Sequence, residues 1–304
     1  MKTRRHSSIH FSRILFQILN YTFFILFTFI CMYPFWYIII YTLSDPAAVK
    51  GKIPFLLPIQ FTLKNYAELL KTNGLMNAFG ISVARTVLGT TFTVLSSTFL
   101  GYLFSKKEMP CRKLLYRFVI ITMYISGGLI STFLVMKSYH LLNSFWIYVI
   151  PGAVSAYNVI LVKTYVEQLP ESLEEAARTD GAGYLTIFGR IILPLSKPII
   201  ATIGTFSAIG QWNSWFDNHI YASANTDITT LQYLLYKYLQ EAQKLAEKYK
   251  NSLIVGEQIQ EAELISPMGI RLTITVISCV PIFLVYPFAQ RYFTRGLTLG
   301  AVKG

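Results

Sequence analysis

Residues 174–194 read EEAARTDGAGYLTIFGRIILP, and this stretch decides how the whole chain is interpreted. It begins as a short helix. Ser172-Leu-Glu-Glu175 has the pattern of a capping box, and Pro170 suits an even earlier first turn. Gly181 is the residue type that most easily takes the left-handed conformation at which a helix stops. A second amphipathic stretch follows, from Tyr184 to Leu193. The sequence therefore predicts two short helices separated by a glycine.

Long uncharged stretches surround this segment on both sides. A membrane-spanning helix needs about 20 mainly apolar residues, and six stretches without Asp, Glu, Lys or Arg come close to or exceed that length. They are 14–44, 86–104, 118–136, 138–162, 198–216 and 272–290. Only helices or closed barrels satisfy every backbone amide within lipid, and these runs are too continuous for barrel strands. The sequence thus predicts an all-α integral membrane protein with six transmembrane helices in a single domain over 1–304.

The distribution of basic residues predicts the orientation. The short segment 105–117 carries five Lys or Arg residues, which is typical of a cytoplasmic loop. With six spans, both termini and the loop 163–197 are then cytoplasmic, and the loop 217–271 is extracytoplasmic. The basic N-terminus precedes an apolar run that is too long for a cleaved signal peptide, so we expect an uncleaved first helix. The net charge of +12 follows largely from this topology and does not imply nucleic acid.

The loop 163–197 differs from the other inner segments because it is acidic. A third of the chain's fifteen acidic residues fall within fourteen positions of it: Glu167, Glu171, Glu174, Glu175 and Asp180. A loop facing anionic lipid favours basic residues instead. The acidic residues therefore suggest that this loop contacts a protein partner.

The same loop resembles the EAA loop of permease subunits in binding-protein-dependent ABC importers. Glu175-Ala-Ala is followed after three residues by Gly181, and after nine more by Ile191-x-Leu193-Pro194. The resemblance implies the type I ABC importer transmembrane fold and a short helix that docks in a cleft on a cytoplasmic ATPase. The alternative is an ordinary capped helix-turn-helix. The implied ATPase-coupling residues are Glu174, Glu175, Ala176, Ala177, Asp180 and Gly181.

The C-terminal segment 291–304 carries a second resemblance. From Tyr292 to Gly304 it resembles the end of the second permease in maltose-type carbohydrate importers, and Leu231-Gln-Tyr-Leu-Leu235 points to the lipoprotein/polysaccharide permease branch. In that family the tail runs toward the ATPase dimer, which implies contacts from three tail residues. The alternative is a flexible terminus. These implied contact residues are Gly296, Gly300 and Lys303.

The resemblance also implies the partners of the chain. They are a second homologous permease, two ATPase subunits and an extracytoplasmic solute-binding protein, in the plasma membrane of a bacterium, with a sugar or oligosaccharide as substrate. The chain has no Gly-x-x-x-x-Gly-Lys-[Ser/Thr] motif, so ATP and Mg²⁺ are expected on the ATPase and not on this chain. The sequence does not identify the sugar.

Aromatic and amide side chains near the outer ends of two spans are candidates for sugar contact. The alternative is that Trp and Tyr are simply enriched at membrane interfaces. Arg85, at the start of the second span, must pair, snorkel or face water. In the outer loop, Thr229–Lys250 has the pattern of an amphipathic helix, which suits a cap, a binding-protein contact, a structural lid or an interfacial helix. The aromatic and amide side chains that are candidates for sugar contact in the pathway are Tyr157, Asn158, Gln211, Trp212, Asn213 and Trp215.

Three other classes of protein fit the sequence less well. A secondary transporter usually carries ionisable groups within its spans, whereas all fifteen acidic residues here lie outside the six stretches. A membrane enzyme is disfavoured because the four histidines and three cysteines form no ligand pattern. A non-transporting membrane adaptor is compatible with the composition but leaves the EAA-like loop unexplained.

Overall fold

The computed structural model describes residues 4–46, 48–49, 54, 56–71, 74–255 and 262–296. Within these ranges every named element is a helix, apart from an isolated bridge between Ser44 and Phe61. The predicted all-α fold class is confirmed. The α-helices are α1 (Arg4–Thr42), α2 (Lys64–Leu70), α3 (Leu75–Ser105), α4 (Arg112–Tyr124), α5 (Gly128–Ser138), α6 (Ala156–Val166), α7 (Ser172–Thr179), α8 (Tyr184–Leu195), α9 (Lys197–Asn213), α10 (Phe216–Tyr221), α11 (Leu231–Val255) and α12 (Ala262–Gly296).

The chain divides into two compact units. One comprises Met1–Lys71 with Glu241–Val276, and the other comprises Thr72–Gln240 with Ile277–Gly304. In the first unit, the Asn65 side chain closes the end of α1, because it donates to the carbonyls of Thr42 at 2.9 Å and Ser44 at 3.2 Å. The large apolar side chains along α1 between positions 14 and 39 are mostly exposed, as expected of a helix that contacts lipid. The prediction of a single domain over 1–304 stays a prediction.

In the second unit, α3 packs against α6 and α9. Small residues recur at every fourth position of α3, and all of them are buried: Gly89, Thr93, Ser97 and Gly101. Such a row lets neighbouring helix backbones approach closely. At Gly101, an added Cβ would lie only 2.7 Å from the Val162 side chain of α6. A cluster of larger side chains fills the space beside this row: Tyr102, Val162, Val166, Ile187, Ile192 and Ile203.

Among the described residues, four helical segments have the length and composition of membrane spans if each bent pair counts as one. Two are single helices, Arg13–Thr42 within α1 and Leu75–Ser105. The other two are bent at a short break: the chain direction changes by 119° between α4 and α5, and by 79° between α8 and α9. The first bend lies between Tyr124 and Gly128, and Gly128 has a φ of +77°. The stretch 272–290 lies within α12. The count of six spans stays a prediction.

The expected helix over 138–162 is wrong for its first part. The chain is helical only from Ala156, and residues 139–155 form turns around a short 3-10 helix at Phe145–Tyr148. His140 and Asn143 have positive φ values, which no continuous helix contains. The backbone amide of Asn143 instead donates to the carbonyl of Tyr221, at the end of α10, at 2.9 Å. The middle of this irregular segment is buried, since Ile147, Tyr148 and Val149 are each at most 2% exposed, whereas Trp146 and Ile150 are 47% and 51% exposed.

Candidate functional site

Helix α7 begins differently from the predicted capping box. Glu171 occupies the N-cap position with helical backbone angles and no side-chain cap. Since Pro170 starts the first turn early, Ser172 is already inside the helix and its hydroxyl does not cap it. The Glu171 carboxylate accepts a hydrogen bond from Lys107 at 2.7 Å. Glu174 and Glu175 lie in the first turn, where negative charge is favoured by the helix dipole.

The end of α7 is the glycine stop that the sequence predicts. Gly181 has a φ of +82°. The amide of Ala182 donates to the carbonyl of Ala177 at 2.9 Å, and the amide of Gly181 donates to that of Arg178 at 2.9 Å. These two bonds form a Schellman motif, which satisfies carbonyls that the helix itself leaves free. Ala177 and Ala182 also pack together on the cluster around Tyr102 and Val162. The direction of the chain after α7 is therefore fixed by backbone geometry.

Helix α7 divides the predicted coupling residues between two faces. Ala177 and Glu174 face the protein: Ala177 packs on the core, and Glu174 forms an ion pair with Lys106, the two side chains being 15% and 11% exposed. Glu175, Ala176 and Asp180 are exposed. Residues three and four apart share a helix face. Ala176 and Asp180 are four apart and therefore lie together on the exposed side, with Glu175 next to Ala176. Leu173 is at the border of this side, because it is three residues from Ala176 and four from Ala177, and it is 41% exposed.

The beginning of α8 adds apolar surface that the sequence analysis did not single out. Tyr184 is 49% exposed and Leu185 is 72% exposed. Together with Leu173, Glu175, Ala176 and Asp180 they form what we call the docking surface. Helical periodicity combined with the Gly181 stop is the signal that would have found Leu173. Helix α8 then contains one π-helical turn, Phe188–Ile192, in which the Leu193 amide donates to the carbonyl of Phe188.

Most acidic residues of the loop pair within the chain. The segment after α3 supplies the cations: Lys107 pairs with Glu171 at 2.7 Å, and Arg112 pairs with Glu167 at 2.9 Å. In one further pair the cation lies on α7 and the acid in the segment after α3: Arg178 donates to Glu108 at 2.9 Å. This hydrogen bond holds the pKa of Glu108 below its ordinary value. The two segments border a charged cleft of about 370 Å³.

These pairs correct the interpretation of the acidic loop. Of the five acidic residues, Glu167, Glu171 and Glu174 are matched by cations of the same chain. Within the described ranges, only Glu175 and Asp180 of the five have no ion pair. The charge that is left for an external partner therefore lies on the docking surface.

A second candidate site lies where α3 and α9 meet the segment 139–155. Arg85 is 2% exposed there, and all five of its N–H donors have acceptors. Two go to the Gln211 amide oxygen at 3.1 and 3.3 Å, two go to the carboxylate oxygens of Asp217 at 2.5 and 3.1 Å, and one goes to the Ser214 carbonyl at 3.2 Å. The guanidinium also lies 4.5 Å from the centre of the Tyr148 ring. Arg85 is paired and does not snorkel.

Beside this network lies a cavity of about 450 Å³. Two of the predicted pathway residues line it, Asn158 and Gln211. Asn158 donates to the Ser207 hydroxyl at 3.2 Å. Gln211 uses its amide oxygen for Arg85, and its amide nitrogen, which lies beside Gly89 and Gly152, has no hydrogen-bond partner among the described residues. Other polar or aromatic residues of the lining include Thr93, Thr132, Ser155, Phe206 and Tyr221.

The other four predicted pathway residues do not line this cavity. Trp212 is buried against Phe79 and donates to the Ser278 carbonyl at 2.9 Å, so its role in the structure is packing. Trp215 stacks on Tyr236 with ring centres 4.1 Å apart. Tyr157 and Asn213 are exposed elsewhere. Of the predicted tail contacts, Gly296 ends α12, and Gly300 and Lys303 lie outside the described residues.

Comparisons with known proteins relate the chain to components of membrane transport systems. Residues 94–216, which include α7, α8 and Gln211, match the family described as "Binding-protein-dependent transport system inner membrane component". Protein LplC of Bacillus subtilis (strain 168) is 36% identical over 276 residues, 90% of each chain. The polygalacturonan/rhamnogalacturonan transport system permease protein YtcP of the same organism is 35% identical over 95% of this chain and 99% of the relative.

A solved structure extends the similarity to the fold. It is the crystal structure of a bacterial ABC transporter involved in the import of the acidic polysaccharide alginate. One of its chains superposes with a TM-score of 0.79 at 29% sequence identity, covering 93% of this chain and 98% of that chain. The expected type I importer fold is therefore confirmed over most of the length of the chain.

Proposed function

The chain belongs to the family of binding-protein-dependent transport system inner membrane components, and we propose that it forms half of the translocation pathway of an ATP-driven carbohydrate importer. YtcP is a permease of a polygalacturonan/rhamnogalacturonan transport system and the solved relative is involved in the import of alginate, which supports a sugar or oligosaccharide as substrate. A second homologous permease completes the pathway, and a solute-binding protein delivers the substrate. Two ATPase subunits, which carry ATP and Mg²⁺, bind on the cytoplasmic side. Both termini lie in the cytoplasm.

The observation that carries this proposal is the division of α7 into two faces. The inward face is occupied by the Lys106–Glu174 pair and by packing of Ala177. The outward face offers Ala176, with Leu173 at its border, next to the carboxylates of Glu175 and Asp180, which have no ion pair among the described residues. A small apolar centre with acidic neighbours suits a cleft that has an apolar floor and basic rims. This is the arrangement expected if α7 docks on an ATPase and receives its closing motion.

The cavity beside Arg85 supports direct contact with the sugar. Its lining combines hydroxyl and amide groups with the aromatic rings of Phe206 and Tyr221, which is the chemistry that sugars use. The only charged residues of the lining among those described, Arg85 and Asp217, neutralise each other. The unpartnered donor of the Gln211 amide is then the group best placed to bond a hydroxyl or ring oxygen of the substrate.

Copurification tests the proposal directly. The affinity-tagged chain, extracted from the bacterial membrane in mild detergent, should retain an ATPase and a second permease. Glu175→Lys, which reverses a charge on the docking surface without touching a partner within the chain, should release the ATPase and retain the permease. Glu171→Lys is the matched control, because Glu171 lies outside the docking surface. Recovery of the wild-type chain without any ATPase would contradict the proposed function.

A further inference from the structure

The C-terminal end of α3 is attached to α7 by a shielded ion pair. Lys106 caps α3, and its ammonium group pairs with the carboxylate of Glu174. The same ammonium lies 4.6 Å from the centre of the Tyr102 ring, one turn earlier on the same face of α3. The Lys106 and Glu174 side chains are only 11% and 15% exposed. The cation is therefore held from two sides, and water is largely excluded from the pair.

The other ion pairs of this region are more open. Lys107 and Glu171 are 77% and 73% exposed, and Arg178 and Glu108 are 38% and 52% exposed. Exposed pairs are weakened by solvent and by the cost of ordering long side chains. The Lys106–Glu174 pair is the one among these whose geometry is fixed by its surroundings.

Tyr102 attaches α8 to the same place. Its side chain is 1% exposed, and its hydroxyl donates to the backbone carbonyl of Tyr184 at 3.2 Å. Its ring packs on Phe188, with ring centres 5.1 Å apart. One turn of α3, defined by Tyr102 and Lys106, therefore holds both helices that carry the docking surface.

Helix α3 continues unbroken from this turn to the cavity. Arg85 and Gly89, which contact Gln211 at the cavity, belong to the same helix as Tyr102, and Lys106 caps the C-terminal end of that helix. At 1.5 Å per residue, Arg85 and Tyr102 are about 26 Å apart along the axis. A displacement of α7 that moves the end of α3 therefore also moves one wall of the cavity.

We infer that Lys106 and Glu174 are positioning residues that fasten α7 to α3, so that motion of the docking surface reaches the pathway through α3. This inference rests on the proposed function. It assigns Glu174 to transmission within the chain and leaves attachment of the ATPase to Glu175 and its neighbours. Loss of the pair should therefore separate two properties of the complex, namely assembly with the ATPase and the response of ATP hydrolysis to the binding protein.

The test uses the complete complex in liposomes, assembled with its own binding protein. Lys106→Glu and Glu174→Lys should each retain the ATPase subunits, because the docking surface is unchanged. In both, the stimulation of ATP hydrolysis by the binding protein should fall roughly tenfold, within the usual range of couplings between sites. The double variant, which restores opposite charges, should recover most of the stimulation, and Lys106→Arg should retain it.

Lys107→Glu is the matched control, because it makes the same charge change one residue away in the exposed pair, and it should respond like the wild type. Glu174→Gln replaces Glu174→Lys if the lysine variant is not recovered as a folded membrane protein, since glutamine removes the charge at nearly constant volume. Release of the ATPase from the Lys106 or Glu174 variants would assign these residues to docking and overturn the inference. Wild-type stimulation in them, or an equal loss in Lys107→Glu, would also overturn it. A wild-type complex without an ATPase would instead contradict the proposed function.

Discussion

Arg85 and Asp217 form a two-point ion pair, in which the two terminal guanidinium nitrogens donate to the two carboxylate oxygens at 3.1 and 2.5 Å. The partners are 132 residues apart in sequence, and the Arg85 side chain is 2% exposed. Together with the bonds to Gln211, the pair ties α3 to the segment that follows α9. It is therefore a cross-link between two walls of the cavity.

Removing one partner of this pair should destabilise the protein strongly. Asp217→Ala leaves a buried guanidinium without its counter-ion, a situation that costs about 3–5 kcal/mol in fully buried pairs and somewhat less here, because Asp217 is 23% exposed. We expect a lower thermal unfolding temperature of the detergent-solubilised chain. Replacing both partners, as Arg85→Met with Asp217→Leu, should recover part of that loss. Equal unfolding temperatures for the single and double variants would contradict this account.

Gln211→Glu should weaken handling of the substrate while retaining the contact with Arg85. A glutamate keeps an oxygen for the two bonds from Arg85 but lacks the amide nitrogen that is free to donate into the cavity. One lost hydrogen bond of about 1–1.5 kcal/mol corresponds to a roughly tenfold higher KM for uptake. The measurement is uptake of labelled oligosaccharide by intact cells against concentration.

The added charge of Gln211→Glu needs its own control. Combining it with Asp217→Asn restores the net charge around Arg85 without restoring the donor, so the higher KM should persist. Recovery of the KM in the double variant would show that charge, and not the missing donor, was responsible.

Gly181→Pro should abolish transport, because proline fixes φ near −65° whereas this position has a φ of +82°. It also removes the amide that bonds to the Arg178 carbonyl. Gly181→Ala should be milder, at about 1–2 kcal/mol of local strain, since no atom lies within 4 Å of its added Cβ. Gly183→Ala is the matched control, with an equally open position and a φ of −75°. Uptake rates should rank Gly183→Ala above Gly181→Ala and Gly181→Ala above Gly181→Pro, and an active proline variant would contradict this role of the turn.

The sequence predicted the features of this fold that depend on local chemistry. Long stretches without charged residues identified the apolar parts of α1 and α3, and the tolerance of glycine for the left-handed conformation identified the stop at Gly181. The segment 138–162 was misassigned over its first part because apolar composition does not determine backbone conformation. Its backbone is satisfied by distant partners such as Tyr221, which periodicity does not reveal.

The candidate sites were predictable to different extents. The exposed face of α7 follows from a motif and a helical period. In contrast, the partner of Glu174 is 68 residues away in sequence, so counting charges loop by loop could not pair it with Lys106. Trp212 had the residue type expected of a sugar site, but its position on α9 turns it toward Phe79 and Ser278. Side-chain direction depends on the packing of whole helices and was not available from composition.

The π-helical turn Phe188–Ile192 makes the length of this loop as constrained as its chemistry. Such a turn holds one residue more than the regular spacing. Deleting any one of the five residues would restore an ordinary helix while rotating everything on one side of it by about 100° relative to the other. Leu185 and α7 would then point away from their present direction, although every side chain of the docking surface was kept. Loops grafted between related transporters therefore need to match in residue count across this turn before their identities matter.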